Sequence, residues 1–526
     1  MIHYKIPVIL VALLLSGLSL NVTAADKLSS RLRIKQLIIQ FRDGDTRQIQ
    51  SVRRDQALPD LALPDGGQLK FLRRFDANGA VVQLPESLTP EQALNVAGQL
   101  AAQPGIASVV PDKRFFPAYV PNDPAYLPGS DAVHDPGQWH LFEDTAGIRM
   151  PAAWDRSTGS ASTVVAILDT GILPHQDLDD ARVLPGYDFY SNASLDNDGT
   201  PGRDDDPSDP GDAVDADECG AGEPAEDSSW HGLSVAGVIA AQSDNGTDIA
   251  GINFNTRVLP IRVLGKCGGD LSDVADAIRW AVGLKVIGVP VNPNPADVIN
   301  LSLSGTGACS AQEQDAINAA VSRGATVVVA AGNEGGSVLD VSPANCNNVV
   351  VVGAIARDGR IASYVNVGSA VDIVAPGGDD PDPADLDNNP PNGVLTLSNF
   401  GTTVPGADAL ASIQGTSFTA AQVSAVVSLM LAVDGSLTPA MIEDIIKTTA
   451  RAFPDPSCDT DLCGAGVLDA DAALAGAADP TSVLGTRVNT SGSGGGCTVA
   501  AAGARFPDPV WLLTIAAIWG VRRAAG

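Results

Sequence analysis

Positive charge is scarce in this 526-residue chain: 32 Lys and Arg stand against 62 Asp and Glu, a net charge of −30. So acidic a surface repels nucleic acid and anionic membranes, and it suits calcium binding or a salty exterior. Paired Cys-x-x-Cys units are absent, which removes the usual structural zinc sites. No EF-hand is complete, because the acidic loop that begins at Asp196 lacks a glutamate at the twelfth position. A second partner for Asp169-Thr170-Gly171 is also missing, so the two-carboxylate site of an aspartic protease cannot be assembled.

The charge that is present is unevenly spread. Residues 25–118 hold 13 Lys and Arg against 10 Asp and Glu, whereas the chain from Tyr119 onward holds 18 against 52. Ahead of both, residues 1–24 read as a secretory signal: Lys5, an apolar run from Ile6 to Leu20, then Val22-Thr23-Ala24, with cleavage after Ala24. A retained anchor is the competing reading, against which the run is short for a span. Residues 25–118 have strand-like runs at Leu32–Phe41, Gln68–Phe75, Ala80–Leu84 and Ile106–Val110. They also have a helix start at Thr89-Pro90-Glu91-Gln92, with Thr as cap and Gln at the third position. A compact basic unit, then a polar joint over 119–137, then an acidic body is the organisation expected of a removable folding chaperone and inhibitor. An ordinary accessory domain is the plainer alternative.

From residue 138 to 478, buried-strand runs alternate with helical patterns. The strands are expected at Thr163–Leu168, Val258–Val263, Val298–Leu303, Thr326–Ala331 and Val349–Ala354, and the helices at Leu271–Val282, Ala311–Arg323 and Pro439–Ala450. Such alternation predicts an α/β fold, a mostly parallel sheet with helices on both faces. Active groups in these folds sit at strand carboxyl ends and helix starts. Asp169 ends an apolar strand, His231 opens a small-residue helix, and Asn333 follows Val327-Val328-Val329-Ala330-Ala331-Gly332. Ser417 opens a run, Phe418 to Leu431, that is apolar on nearly every face and is predicted to be a buried helix. Singly these residues are turn formers and caps. Together they supply nucleophile, base, orienting acid and amide donor.

With Asp-Thr-Gly at Asp169, His-Gly at His231, Ala-Ala-Gly-Asn at Asn333 and Gly-Thr-Ser at Ser417, in that order, residues 138–478 resemble the subtilisin-like serine proteases. Arg262-Val263-Leu264-Gly265-Lys266-Cys267-Gly268-Gly269 is similar to a segment of the family's exported, disulfide-bearing bacterial branch, and residues 25–118 are similar to its inhibitory propeptides. The resemblance implies Ser417 as nucleophile, His231 as base, Asp169 as orienting acid and Asn333 as oxyanion donor. It implies that Ser302, Leu303, Ser304 and Gly305 pair with an extended peptide substrate, and that Ala330, Ala331 and Gly332 line the primary specificity pocket. The implied product is a monomeric secreted endopeptidase, self-cleaved near residues 115–125 and held inactive by its own propeptide. Departures from the pattern at Leu233, Ser234, Ala421, Gln422, Ala425 and Ser304 leave room for a narrowed activity, or for a catalytically impaired fold used as a binding module.

Between Asp196 and Glu218 lie ten acidic residues on a Gly/Pro-rich loop. Asp196, Asp198, Asp204, Asp206 and Asp209 are candidate ligands for a structural calcium ion, with a solvated acidic surface as the alternative. Cys219, Cys267, Cys309, Cys346, Cys458 and Cys463 allow fifteen pairings; the resemblance favours Cys219 with Cys267, Cys309 with Cys346, and Cys458 with Cys463. Residues 479–509 form a Gly-rich linker that includes Cys497. Residues 510–526 carry an apolar run closed by Arg522-Arg523, similar to the C-terminal sorting signals of Gram-negative bacteria. A sorting protease and display at the cell surface are what that similarity implies.

Overall fold

The computed structural model describes residues 34–42, 63, 67–75, 78–112, 119–128, 137–200, 202–379 and 392–485. The expected signal, residues 115–118 of the expected self-cleavage region at 115–125, and the tail with Cys497 and residues 510–526 lie outside the described residues.

The N-terminal unit is α+β. Strands β1 (Ile34–Phe41), β2 (Lys70–Arg74), β3 (Gly79–Leu88) and β4 (Ile106–Pro111) form an antiparallel sheet in the order β2-β3-β1-β4. Helix α1 (Pro90–Ala101) starts as its sequence requires: Thr89 Oγ1 accepts from Gln92 N, and Gln92 Oε1 accepts from Thr89 N. Alternate strand residues, Leu37, Ile39, Ala80 and Val82, join Ala93, Ala97 and Leu100 of the helix in a separate core.

The acidic body is built on seven strands: β5 (Val164–Asp169), β6 (Tyr187–Asp188), β7 (Arg257–Arg262), β8 (Val298–Leu301), β9 (Thr326–Ala330), β10 (Val350–Ile355) and β11 (Ile373–Pro376). All pairings are parallel, in the order β11-β10-β9-β8-β5-β7-β6. The two-residue period of a strand sorts side chains into two cores. Val165 and Ile167 face the layer of helices α2 (His231–Ala240), α5 (Thr416–Val433) and α6 (Pro439–Thr449); Val164, Ala166 and Leu168 face α3 (Leu271–Ala281) and α4 (Ala311–Ser322). Both faces being covered explains strands that read as unbroken apolar runs.

Two features differ from the sequence expectation. Strand β8 stops at Leu301 rather than Leu303, and Gly305 pairs with Ser342 in a small antiparallel ladder. Beyond β11 the chain also makes an antiparallel hairpin of β12 (Val394–Asn399) and β13 (Asp408–Ile413). The sulfur pairs are Cys219–Cys267, Cys309–Cys346 and Cys458–Cys463, the set favoured above. Helix α5 is buried from Thr416 through Met430, so its apolar circumference reflects a position inside the protein.

Candidate active site

Strand β5 delivers Asp169 to the carboxyl edge of the sheet, 1% exposed. Gly171 then takes φ +107, which opens the turn, and Gly232 packs so tightly on it that a Cβ there would lie 2.1 Å from the Gly171 carbonyl oxygen. The two glycines thus seat the first turn of α2 on the Asp169 turn. Asp169 Oδ1 accepts from His231 Nδ1 at 2.8 Å and from Thr170 N at 2.8 Å. Burial alone would lower the His231 pKa; the charge and hydrogen bond of Asp169, then Asp212 and Asp209, outweigh it and leave it raised.

Ser417 is the second residue of α5, where backbone N–H groups are left over from the helical ladder. It is clamped at two points by the chain leaving β8. Its hydroxyl donates to the Ser302 carbonyl at 3.3 Å, and Ser302 Oγ donates to the Ser417 carbonyl at 2.7 Å. Ser302 Oγ accepts from Asn300 Nδ2 at 2.9 Å, and Asn300 Oδ1 accepts from Ser424 Oγ at 2.8 Å. Among the described residues no hydrogen bond joins Ser417 to His231; the rings of His231 and Phe418, the next residue, stand 5.7 Å apart. Catalytic hydrogen bonds often tighten only when substrate is bound.

Asn333 follows Gly332, whose φ of +94 and lack of a side chain are both required, since a Cβ would lie 2.4 Å from Asn366 Nδ2. Asn333 Oδ1 accepts from Thr416 N at 2.9 Å and from Thr416 Oγ1 at 2.8 Å. With its oxygen committed, the amide presents Nδ2 toward the Gly415 turn, 3.6 Å from where a Cβ on Gly415 would sit. Asp169 and His231 are thus joined by a hydrogen bond, Asn333 is tied to Thr416 beside Ser417, and Phe418 brings the start of α5 to the His231 ring. Ala330, Ala331 and Ser302 are buried beside them, Leu303 is half-buried, and Ser304 is exposed with its hydroxyl on Glu334 Oε1 at 3.4 Å.

Two of the departures noted in the sequence make new hydrogen bonds. Ser234 Oγ donates to the Leu397 carbonyl at 2.7 Å, tying α2 to β12, and Gln422 Nε2 donates to the Pro376 carbonyl at 2.7 Å. Leu233, Ala421 and Ala425 are fully buried in the apolar core.

Of the five candidate metal ligands, Asp196 and Asp198 come together, with Asp188, close enough to share one ion. In this structure they surround the buried Arg262 guanidinium, whose Nη1 donates to Asp188 at 2.5 Å, Asp196 at 2.8 Å and Asp198 at 3.4 Å. Asp204 and Asp206 cap local turns through Asp206 N and Ser208 N, and Asp209 lies behind Thr170. A different acidic group went unseen in the sequence. Asp123 accepts from Asp244 N at 2.8 Å and Asn245 N at 3.2 Å, and Asp177 accepts from Asn245 Nδ2 at 2.8 Å and Ile249 N at 3.0 Å. Burial, then the charges of Asp248 and Asp123 against two opposing N–H bonds, pushes Asp177 up to about 7. Among the described residues no cation forms a salt bridge with Asp123, Asp177, Asp244 or Asp248, although the charge of Asp177 acts on Arg182. Its signal was the Asx-rich loop Asp244-Asn245-Gly246-Thr247-Asp248, paired with an aspartate eight residues beyond Asp169.

A parallel sheet carrying an Asp–His pair at its carboxyl edge, and a serine at the start of a central buried helix, define a subtilisin-like α/β protein. The subtilase family model matches residues 160–496, and the chain belongs to that family. It is 45% identical over 410 residues to an extracellular protease of Xanthomonas campestris, covering 78% of this chain and 66% of that one. It is 37% identical over 417 residues to an extracellular basic protease of Dichelobacter nodosus, covering 78% and 64%. The chain therefore spans just under two thirds of the length of these relatives. A solved protease structure from Pseudoalteromonas arctica aligns with TM-score 0.63 and 48% identity, covering 68% of this chain and all of that one.

Proposed function

We propose that the chain is a secreted serine endopeptidase in which Ser417, His231 and Asp169 act as a triad. The observation that carries this reading is the Asp169–His231 hydrogen bond, made where the first turns of α2 and α5 meet the sheet edge. Ser417 Oγ attacks the scissile carbonyl as His231 Nε2 takes its proton. His231 then gives that proton to the leaving amine, and water releases the acyl group by the same steps in reverse. Asp169 holds the Nδ1–H tautomer and balances the imidazolium. Asn333 Nδ2 and the Ser417 backbone N–H receive the oxyanion. Protein or peptide is the substrate, its backbone running beside Ser302–Ser304 and its side chain entering the space bounded by Ala330–Gly332. Residues 1–24 direct export, residues 25–118 act as chaperone and inhibitor until self-cleavage, and the tail directs sorting. The mature body works as a monomer.

A fluorophosphonate probe tests the triad: wild type should label at Ser417 alone, and a folded chain that stays unlabelled would remove the proposal. Asn333→Ala should lower kcat by about 10²–10³-fold with KM nearly constant, because the lost donor serves the transition state. Steady-state kinetics on one peptide substrate would check this.

Calcium is proposed for the Asp123–Asp177 group rather than the Asp188–Asp196–Asp198 cluster, where the Arg262 guanidinium already donates to all three carboxylates. Hard oxygen donors on a turning backbone, with one carboxylate driven up by burial and then by its acidic neighbours, are what such an ion relieves. Bound there, the ion would brace the Asp244–Asp248 loop. A chelator at pH 8 should lower the melting temperature of the inhibited enzyme by several degrees. The same chelator at pH 5 should do little, since Asp177 is then protonated and calcium is already displaced. Asp177→Asn should abolish the difference.

A further inference from the structure

Asp209 was expected to face solvent or a metal, yet it is 1% exposed and lies directly behind the catalytic turn. Its Oδ2 accepts from Thr170 Oγ1 at 2.7 Å and its Oδ1 from Gly211 N at 2.9 Å. The same Thr170 hydroxyl accepts from Gly232 N, the residue after His231, at 3.0 Å, while Thr170 N donates to Asp169 Oδ1. Thr170 is thus a joint with three arms, reaching the orienting acid, the helix that carries the base, and a buried carboxylate. The loop is pressed home by its backbone as well. Ile172 N donates to the Pro207 carbonyl at 3.2 Å, and a Cβ on Gly171 would lie 2.7 Å from that oxygen.

We infer that Asp209, acting through Thr170, is a positioning residue that fixes the His231 imidazole on Asp169 and, as a buried negative charge, strengthens it as a base. Because Thr170 Oγ1 spends its single proton on Asp209, its lone pairs face Gly232 N, and the first turn of α2 is locked in register with Asp169. A neutral acceptor could hold the hydroxyl but would not add charge. Burial first, then Asp212 and Asp169, pushes Asp209 itself up to about 6, opposed by its bonds from Thr170 and Gly211, so it is ionised at neutral pH and above. The charged groups acting on His231 are Asp169, Asp212 and Asp209.

The inference rests on the triad reading, and one set of variants of the full chain separates the two. In Asp209→Asn, kcat on a chromogenic peptide should fall about tenfold with KM unchanged, the size expected for a weakened hydrogen bond to charge. The acid limb of its kcat/KM profile should move to lower pH, because a charge that raises the His231 pKa is gone. Thr170→Val should lose more, Thr170→Ser should retain wild-type behaviour, and adding Asp209→Asn to Thr170→Val should cost less kcat than Asp209→Asn alone while still moving the acid limb, because the charge acts on His231 directly. For any variant that fails to mature, the His231 titration is read by imidazole NMR in a Ser417→Ala background, where no turnover is needed. An Asp209→Asn enzyme with wild-type kcat and an unmoved acid limb would overturn the inference while leaving the triad intact. Fully additive losses with Thr170→Val would also overturn it. A wild-type chain that neither labels nor turns over would overturn both.

Discussion

Ser417→Ala should lower turnover by about 10⁶-fold, the loss met when the nucleophile of a cooperating triad is removed. No neighbour can replace it. The hydroxyl sits at the first turn of α5 and is held there by Ser302 from both sides, while Thr416, one residue earlier, has its own hydroxyl committed to Asn333. A second consequence is expected in the chain itself. If residues 25–118 are removed by the enzyme's own site, the alanine variant should keep them attached, and N-terminal sequencing of the secreted product should find a start near Ala25. Wild type should start between residues 115 and 125. Identical termini in both would show that another protease does the trimming.

Arg262→Met should destabilise the body by about 3–5 kcal/mol, the cost of leaving buried charge uncompensated. Arg262 ends β7 with no exposed surface, and Asp188 opposite it is equally enclosed. The guanidinium also lies 5.0 Å from the Tyr190 ring centre. Removing the cation leaves Asp188, Asp196 and Asp198 facing one another, so the loop that Cys219–Cys267 fastens should loosen first. Urea unfolding of fluorophosphonate-blocked enzyme avoids self-digestion during the measurement. Combining Arg262→Met with Asp188→Leu should recover part of the loss, since one buried carboxylate no longer needs a counter-charge while Asp196 and Asp198 still do. Failure to recover any would mean that Arg262 acts mainly through Tyr190.

The parallel sheet was readable because both its faces are covered, which writes each strand as an apolar run such as Val164–Leu168. The Thr89 capping box and the positions of Asp169, His231, Asn333 and Ser417 at strand ends and helix starts were readable for a related reason, since each is a local pattern with a local physical cause. What escaped depends on chain segments that meet only after folding. Asp209 stands 39 positions from Thr170, and nothing in Asp204-Asp205-Asp206-Pro207-Ser208-Asp209 distinguishes the one carboxylate that turns inward. Arg262 looked like part of a cysteine-containing segment, but its role is defined by acids 64 to 74 positions away. Asp123 and Asp177, 54 positions apart, both accept from Asn245 of the Asp244–Asp248 loop, a meeting that exists only in the folded chain. The end of β8 at Leu301 was likewise hidden, because Ser302 and Leu303 keep the strand's alternation after leaving the sheet for Ser417.

Helix α5, enclosed from Thr416 to Met430, has a mean hydropathy of 1.6 over 18 residues, enough for a lipid-spanning segment. Until the sheet forms around it, a newly made chain carries a greasy rod that any bilayer or sister chain would welcome. Yield on dilution from denaturant should therefore drop steeply as protein concentration rises, and under the export proposed above the machinery would have to pass this stretch without letting it lodge sideways in the membrane.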